Sequence, residues 1–146
     1  MLKPINPGAT RMLTCPYDTG EVKTEFTIAP LSVEVRAMLK DRLVTRVRDT
    51  EDKTSIQMNI YQTNAEAVRY GLRSVANFVN GEGHEVKLRL VPLGKYQVVA
   101  DESMEKLNIP LGEVGRKDGY DSLLDWLGSQ IMKGSYLSEE ETQNFN

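Results

Sequence analysis

Two different apolar periodicities follow one another in the first third of the chain, and together they restrict the fold more than any other feature. Apolar and polar residues alternate along 22–29, which predicts a half-buried strand. After Pro30 the spacing changes to four residues, and Val35, Leu39 and Leu43 share one face of a helix predicted over 33–48. A chain that combines both periods needs an α+β fold.

Further segments complete the predicted sheet. A strand at 11–15 forms a hairpin with 22–29 through the turn at 17–20, because Asp18 and Gly20 are turn-forming residues. Alternation at 85–90 predicts another strand, which turns at 92–95 and returns antiparallel along 96–100. The run 55–61 also alternates but fits a helical turn equally well, so it is ambiguous between strand and helix.

Capping and stop signals predict the remaining helices. Thr63 and Glu66 have the spacing of a capping box, which starts a helix that runs through Val68, Leu72, Val75 and Val79 to residue 80. A short helix is expected at 101–107, and the glycine-rich segment 112–119 reads as a flexible connector. A last long helix covers 120–133 and ends at Gly134, and a second start signal predicts a short helix at 138–145. The expectation is a small antiparallel sheet packed with three main helices.

The length of 146 residues fits one domain spanning 1–146. Pro4 and Pro7 predict that 1–10 is an extended arm, and 135–146 is interpreted as a mobile or partner-binding tail. No apolar run approaches the ~20 residues that a membrane helix needs, so we expect no membrane contact. The single cysteine cannot form an intramolecular disulfide, which fits a reducing, cytoplasmic compartment.

Composition also limits the chemistry that the chain can perform. There is one histidine, His84, and one cysteine, Cys15, so clusters of these metal ligands and Cys-His catalytic pairs are disfavoured. His84 is interpreted as a surface residue beside a turn, and Cys15 as a small core residue. Gly112, Gly115 and Gly119 lack the strand and spacing of a phosphate-binding loop. We therefore expect no enzymatic activity and no catalytic, cofactor-binding or metal-binding residues.

Five cations fall on the predicted helix 33–48, namely Arg36, Lys40, Arg42, Arg46 and Arg48. Such a helix could follow a nucleic-acid backbone, and a small nucleic-acid-binding regulator is one alternative function. Acidic residues among and after these cations would cancel their field, so a solvated or partner-facing helix is favoured.

Aromatic residues concentrate near the C-terminus, next to an acidic segment. They fit either a buried core or the anchors of a protein interface. If they form an interface, the candidate partner-binding residues are Trp126, Tyr136, Leu137 and Phe145.

Several segments resemble small proteins encoded by tailed bacteriophages and, more loosely, phage tail assembly chaperones. They are Lys3-Pro4-Ile5-Asn6-Pro7, Phe26-Thr27-Ile28-Ala29-Pro30-Leu31-Ser32, the stretch from Glu66 to Phe78, and Leu137-Ser138-Glu139-Glu140-Glu141. The resemblance implies a non-enzymatic role in the host cytoplasm, where the protein would hold a tape-measure or tail-tube protein ready for assembly. Tail assembly chaperones are predominantly helical, so an α+β chain would equally suit a structural component of the virion head, connector or tail. Neighbouring virion subunits, or further copies of this chain in a homo-oligomer, would then be the partners.

Overall fold

The computed structural model describes residues 10–48, 53–79 and 82–143, and within them the chain has an α+β fold. The elements in chain order are β1 (Arg11–Thr14), β2 (Glu25–Ile28), α1 (Val33–Arg48), α2 (Lys53–Gly71), β3 (Leu72–Ala76), β4 (Leu90–Leu93), β5 (Tyr96–Val99), α3 (Asp101–Leu107), α4 (Gly112–Lys117) and α5 (Leu123–Gln143). The predicted fold class is confirmed, with α1, α2 and α5 as the three main helices. The predicted arm at 1–10 lies, apart from Thr10, outside the described residues.

The strands form two antiparallel groups. One is a three-stranded sheet in the order β1-β2-β3, and the other is the hairpin β4-β5. The hairpin predicted between β1 and β2 is confirmed, and Asp18 organises its turn: Oδ1 accepts from the Gly20 N–H at 2.9 Å, and Oδ2 accepts from the Thr24 N–H at 2.7 Å. Because this turn reaches Thr24, β2 starts at Glu25, and Val22 lies before the strand with its side chain exposed.

Helix α1 has the boundaries that the four-residue spacing predicts. The Ser32 Oγ accepts from the Val35 N–H at 3.2 Å, as expected of a residue that caps a helix start. Val35 and Leu39 are buried in the core. The apolar stripe of this helix therefore faces inward as predicted.

The helix predicted from Thr63 to residue 80 is wrong at both ends. Helix α2 begins ten residues earlier, so Thr63 is a buried residue within it, and the Glu66 carboxylate binds the Arg42 Nη1 at 2.7 Å. The helix ends at Gly71, and the next five residues form β3 on the open edge of β2. Pairing with β2 satisfies backbone groups on both strands, and this long-range gain overrides the helical spacing of the sequence.

The ambiguous run 55–61 belongs to α2, which begins at Lys53. The strand predicted at 85–90 starts only at Leu90, where β4 begins. Before that point, the Arg89 N–H donates to the Ser103 Oγ at 3.0 Å, so its amide is satisfied outside a strand.

Two further predictions about the C-terminal half are corrected. Segment 112–119 contains helix α4, and Gly112 and Gly119, both with positive φ, lie at its boundaries. Helix α5 continues through Gly134 and the predicted tail to Gln143, in place of two separate helices. Ser135 is buried there: its Oγ donates to the Ile131 O at 2.8 Å and accepts from the Leu31 N–H at 2.9 Å. These bonds attach the start of the supposed tail to the core.

Helices α2 and α5 pack directly against each other at the centre of the molecule. Gly128 makes this possible, because a Cβ at that position would lie 2.1 Å from the Asn64 backbone oxygen of α2. The surrounding core contains fully buried Phe26, Val68 and Leu127. One core therefore joins the three-stranded sheet to the long helices.

Candidate interaction grooves

An open groove of about 290 Å³ lies where the loop after β2 meets the end of α2, β3 and β5. We call it the Arg73 groove. Its lining residues are Thr10, Ala29, Pro30, Leu31, Ser32, Val35, Tyr70, Arg73 and Tyr96. Most of these side chains are apolar or aromatic, and Arg73 is the charged one among them.

Arg73 is held in the groove by backbone oxygens. It is the second residue of β3, so its side chain leaves the strand on the face opposite to buried Leu72. Its Nη2 donates to the Tyr70 O and, at 3.0 Å, to the Gln97 O, while the buried Nε has no hydrogen-bond partner in the described part of the chain. Burial lowers the pKa of Arg73, and no carboxylate forms an ion pair with it among the residues whose side chains the structure describes, which are 10–43, 60–79 and 82–135.

Two tyrosines form an aromatic wall beside this cation. The Tyr70 and Tyr96 rings meet edge to face, with centroids 5.6 Å apart. At the rim, the Tyr96 hydroxyl donates to the Glu34 Oε2 at 2.8 Å, and the Lys95 Nζ lies 2.5 Å from the same oxygen. These contacts lower the pKa of Glu34 and raise that of Lys95. The rim charges are therefore mutually compensated, whereas the charge inside the groove is not.

A second groove of about 220 Å³ lies near the β1–β2 turn, and we call it the Cys15 groove. It is lined by Cys15, Tyr17, Asp18, Thr24, Phe26, Phe78, Val79, Ile109, Leu111 and Leu123. Burial raises the pKa of the Cys15 thiol, and Cys15 is part of the core as predicted. The charged residue of the Cys15 groove is Asp18, and its carboxylate already accepts hydrogen bonds from backbone amides. Exposed Val79 and Ile109 make this a mainly apolar surface.

The candidate partner-binding residues do not form one exposed surface. Trp126 is only 6% exposed, and its ring lies 6.1 Å from both the Tyr17 and Phe26 rings, measured between centroids. It is a core residue, which corrects its interpretation as an interface anchor. Tyr136 and Leu137 lie in α5, and Phe145 lies outside the described residues.

Other charged candidates are placed as follows. Arg42 of α1 forms an ion pair with Glu66, which reduces the positive charge that α1 offers to a nucleic acid. His84 is exposed, and its Nδ1 lies 3.6 Å from the Glu82 Oε2. Within the described ranges, no three His, Cys, Asp or Glu side chains group together as a metal site requires. No helix in those ranges is long and apolar enough to cross a membrane.

The Arg73 groove was not predicted from the sequence. Arg73 falls on the polar face when residues 65–79 are read as a helix, and only the strand assignment directs it towards Tyr96. A signal is present in the β-branched residue Val75 and in Gly71, which together fit a helix that ends before residue 72.

No match to this chain was found among protein-family models, curated proteins or solved structures.

Proposed function

We propose that this chain is a non-enzymatic protein that binds other structural proteins during the assembly of a tailed bacteriophage, in the manner of a tail assembly chaperone. The phage context rests on the resemblance of the segments quoted above. The observation that supports protein binding is the Arg73 groove, where a half-buried cation without a carboxylate partner among the described side chains lies beside two tyrosines. Arginine and tyrosine are enriched among the residues that dominate protein interfaces.

The groove is large enough to hold part of a protein partner. Its volume is about 290 Å³. A groove of this size accommodates one or two side chains of another protein. The groove is partly open to solvent, so a segment of a partner can reach it.

The experiment is affinity purification of the tagged chain from cells that produce the phage encoding it, followed by mass spectrometry. A chaperone is expected to co-purify with a tape-measure or tail-tube protein and to be absent from finished particles. A parallel purification from cells that produce the chain without the tag identifies background proteins. If phage structural proteins are no more abundant than in that control, the proposal is refuted.

A structural component of the virion is the second candidate, and the α+β fold favours it, because tail assembly chaperones are predominantly helical. Mass spectrometry of purified particles separates the two roles. Stoichiometric copies in the particle would support a head, connector or tail component and exclude a chaperone that leaves before completion.

A further inference from the structure

Arg73 has an unusual electrostatic position for a residue on an open groove. Its guanidinium is half-buried, yet its contacts are with the neutral backbone oxygens of Tyr70 and Gln97. A charge withdrawn from water is costly unless an opposite charge or sufficient hydrogen bonds compensate it. Among the residues that the structure describes, none supplies an acceptor to the Nε. The groove therefore provides a place where an anion from outside would be stabilised.

We propose that the Arg73 groove binds an acidic side chain from an extended segment of a partner protein, with the carboxylate against Arg73 and a neighbouring apolar residue against Tyr70 and Tyr96. This inference rests on the proposed protein-binding function and names the chemistry of the partner. The carboxylate supplies the missing charge, and charge-assisted bonds between guanidinium and carboxylate are among the stronger hydrogen bonds in proteins. The apolar lining from Ala29, Pro30 and Leu31 suits the adjoining residue.

A carboxylate fits this groove better than a phosphate. The groove offers one guanidinium, whereas the other cation nearby, Lys95, is already paired with Glu34. Glu34 also accepts from the hydroxyl of Tyr96, so a carboxylate stands at the rim of the groove. A dianionic phosphate brings two negative charges, of which the single guanidinium can offset one, whereas a carboxylate brings only one.

Charge also distinguishes a partner segment from the chain's own N-terminal residues. Residues 1–9 are joined to the groove at Thr10, but they contain Lys3 and no acidic side chain. Their side chains therefore cannot compensate the charge of Arg73, whereas an acidic side chain from another protein can compensate it.

The test uses two capped peptides that differ in one group, Ac-Pro-Leu-Glu-Leu-Pro-NH2 and Ac-Pro-Leu-Gln-Leu-Pro-NH2. Each is titrated into the full-length chain while the NMR signals of the Arg73 side chain and of Tyr70 and Tyr96 are followed. We expect the glutamate peptide to bind about tenfold more tightly than the glutamine peptide and to shift the Arg73 signal. Equal binding of the two peptides would overturn the proposal.

The variants Arg73→Gln and Arg89→Gln form a matched pair, because each removes one arginine charge. Arg89 lies on the surface and pairs with Glu102, away from the groove. Arg73→Gln should abolish the preference for glutamate, and Arg89→Gln should preserve it. Circular dichroism melting shows whether each variant is folded, and Arg73→Lys, which keeps the charge, should retain part of the preference even if Arg73→Gln unfolds. A preference that persists in folded Arg73→Gln, or its complete loss in folded Arg73→Lys, would contradict the assignment.

Two further titrations test whether the groove is instead occupied by phosphate or by residues 1–9 of this chain. Inorganic phosphate should shift the Arg73 signal only at concentrations well above those of the glutamate peptide, and the reverse order would overturn the proposal in favour of a phosphate site. A chain lacking residues 1–9 should bind the glutamate peptide as tightly as the full chain. Binding only after this truncation would mean that the groove belongs to the N-terminal segment.

Failure of this inference can be told apart from failure of the proposed function. If Arg73→Gln and the unchanged chain co-purify equally with phage structural proteins, the groove assignment fails and the protein-binding role stands. If neither co-purifies with them, the proposed function fails independently of the peptide result. The inference is supported when Arg73→Gln loses the partner and Arg89→Gln keeps it.

Discussion

Replacing Gly128 by alanine tests the crossing of α2 and α5 at the centre of the fold. The added Cβ would lie 2.1 Å from the Asn64 O and 2.6 Å from the Asn64 carbonyl carbon. Ordinary contacts of a Cβ begin at 3.4 Å, so the two helices must move apart by about an ångström, and packed side chains lose a large part of their dispersion energy over such a gap. The obstacle is backbone, which cannot rotate away as a side chain could.

The expected loss of stability follows from two opposing effects. Overpacking a core typically costs about 1–3 kcal/mol, and a clash with backbone belongs at or beyond the upper end. Alanine recovers roughly 1 kcal/mol of helix propensity relative to glycine. We expect a net loss of about 2–3 kcal/mol in the free energy of unfolding, which lowers the Tm of a chain of this size by roughly 10 °C.

The matched control is Gly134→Ala in the same helix. There the new Cβ meets only the end of the flexible Arg11 side chain, which can move aside. Without a backbone clash, the helix-propensity gain remains, and the Tm should stay unchanged or rise by about 2–4 °C. Thermal melting followed by circular dichroism measures both variants. If Gly128→Ala melts at or above the unchanged chain, or if both variants lose the same stability, the packing argument is wrong.

Three further predictions concern the turn, a tyrosine and the tryptophan. Hydrogen bonds from Gly20 and Thr24 lower the pKa of Asp18, so its stabilisation is present above the ordinary carboxyl pKa and disappears as the pH falls through the lowered value. Asp18→Asn should lower the urea midpoint at pH 7, and the difference from the unchanged chain should shrink as the pH falls below the ordinary carboxyl pKa. Burial and the hydrogen bond to Asp118 raise the pKa of Tyr17 to about 12, so ultraviolet titration should show a late-ionising tyrosine signal that is missing in Tyr17→Phe. The fluorescence of buried Trp126 should resist acrylamide quenching, and quenching as strong as that of free tryptophan would place this residue at the surface.

The sequence was sufficient to predict those elements whose local signals agree with their tertiary environment. Helix α1 has a capping serine, a regular apolar stripe and a buried face, and its boundaries were predicted correctly. The turn at Asp18 was likewise predictable, because its carboxylate accepts hydrogen bonds from amides that are close in sequence. Neither element depends on a distant partner for its identity.

The boundary between α2 and β3 could not be predicted, because two interpretations share the same residues. Leu72 and Val75 have helical spacing relative to Val68, but the open edge of β2 pairs with 72–76 instead. That choice depends on residues nearly fifty positions away. The same reason explains the Arg73 groove, since Tyr70 and Tyr96 come together only after β3 and β5 have been placed beside each other.

The C-terminal half shows how burial changes the meaning of a local signal. Gly134 and the later acidic residues suggested a helix stop followed by a tail, but buried Ser135 bonds to Leu31 and Ile131 and helix α5 continues past it. Trp126 similarly has the chemistry of an interface anchor, yet it packs between Tyr17 and Phe26. In both cases the side chain type was informative, but its environment depended on the whole fold.

The central claim is that this chain binds a structural protein of a phage during assembly. The most direct measurement is quantitative mass spectrometry of complexes captured with the tagged chain from phage-producing cells, compared between the unchanged chain, Arg73→Gln and Arg89→Gln. We expect the unchanged chain and Arg89→Gln to capture one tail or virion protein in near-stoichiometric amounts, and Arg73→Gln to capture several-fold less of it. Capture of no phage structural protein above the untagged background would contradict it.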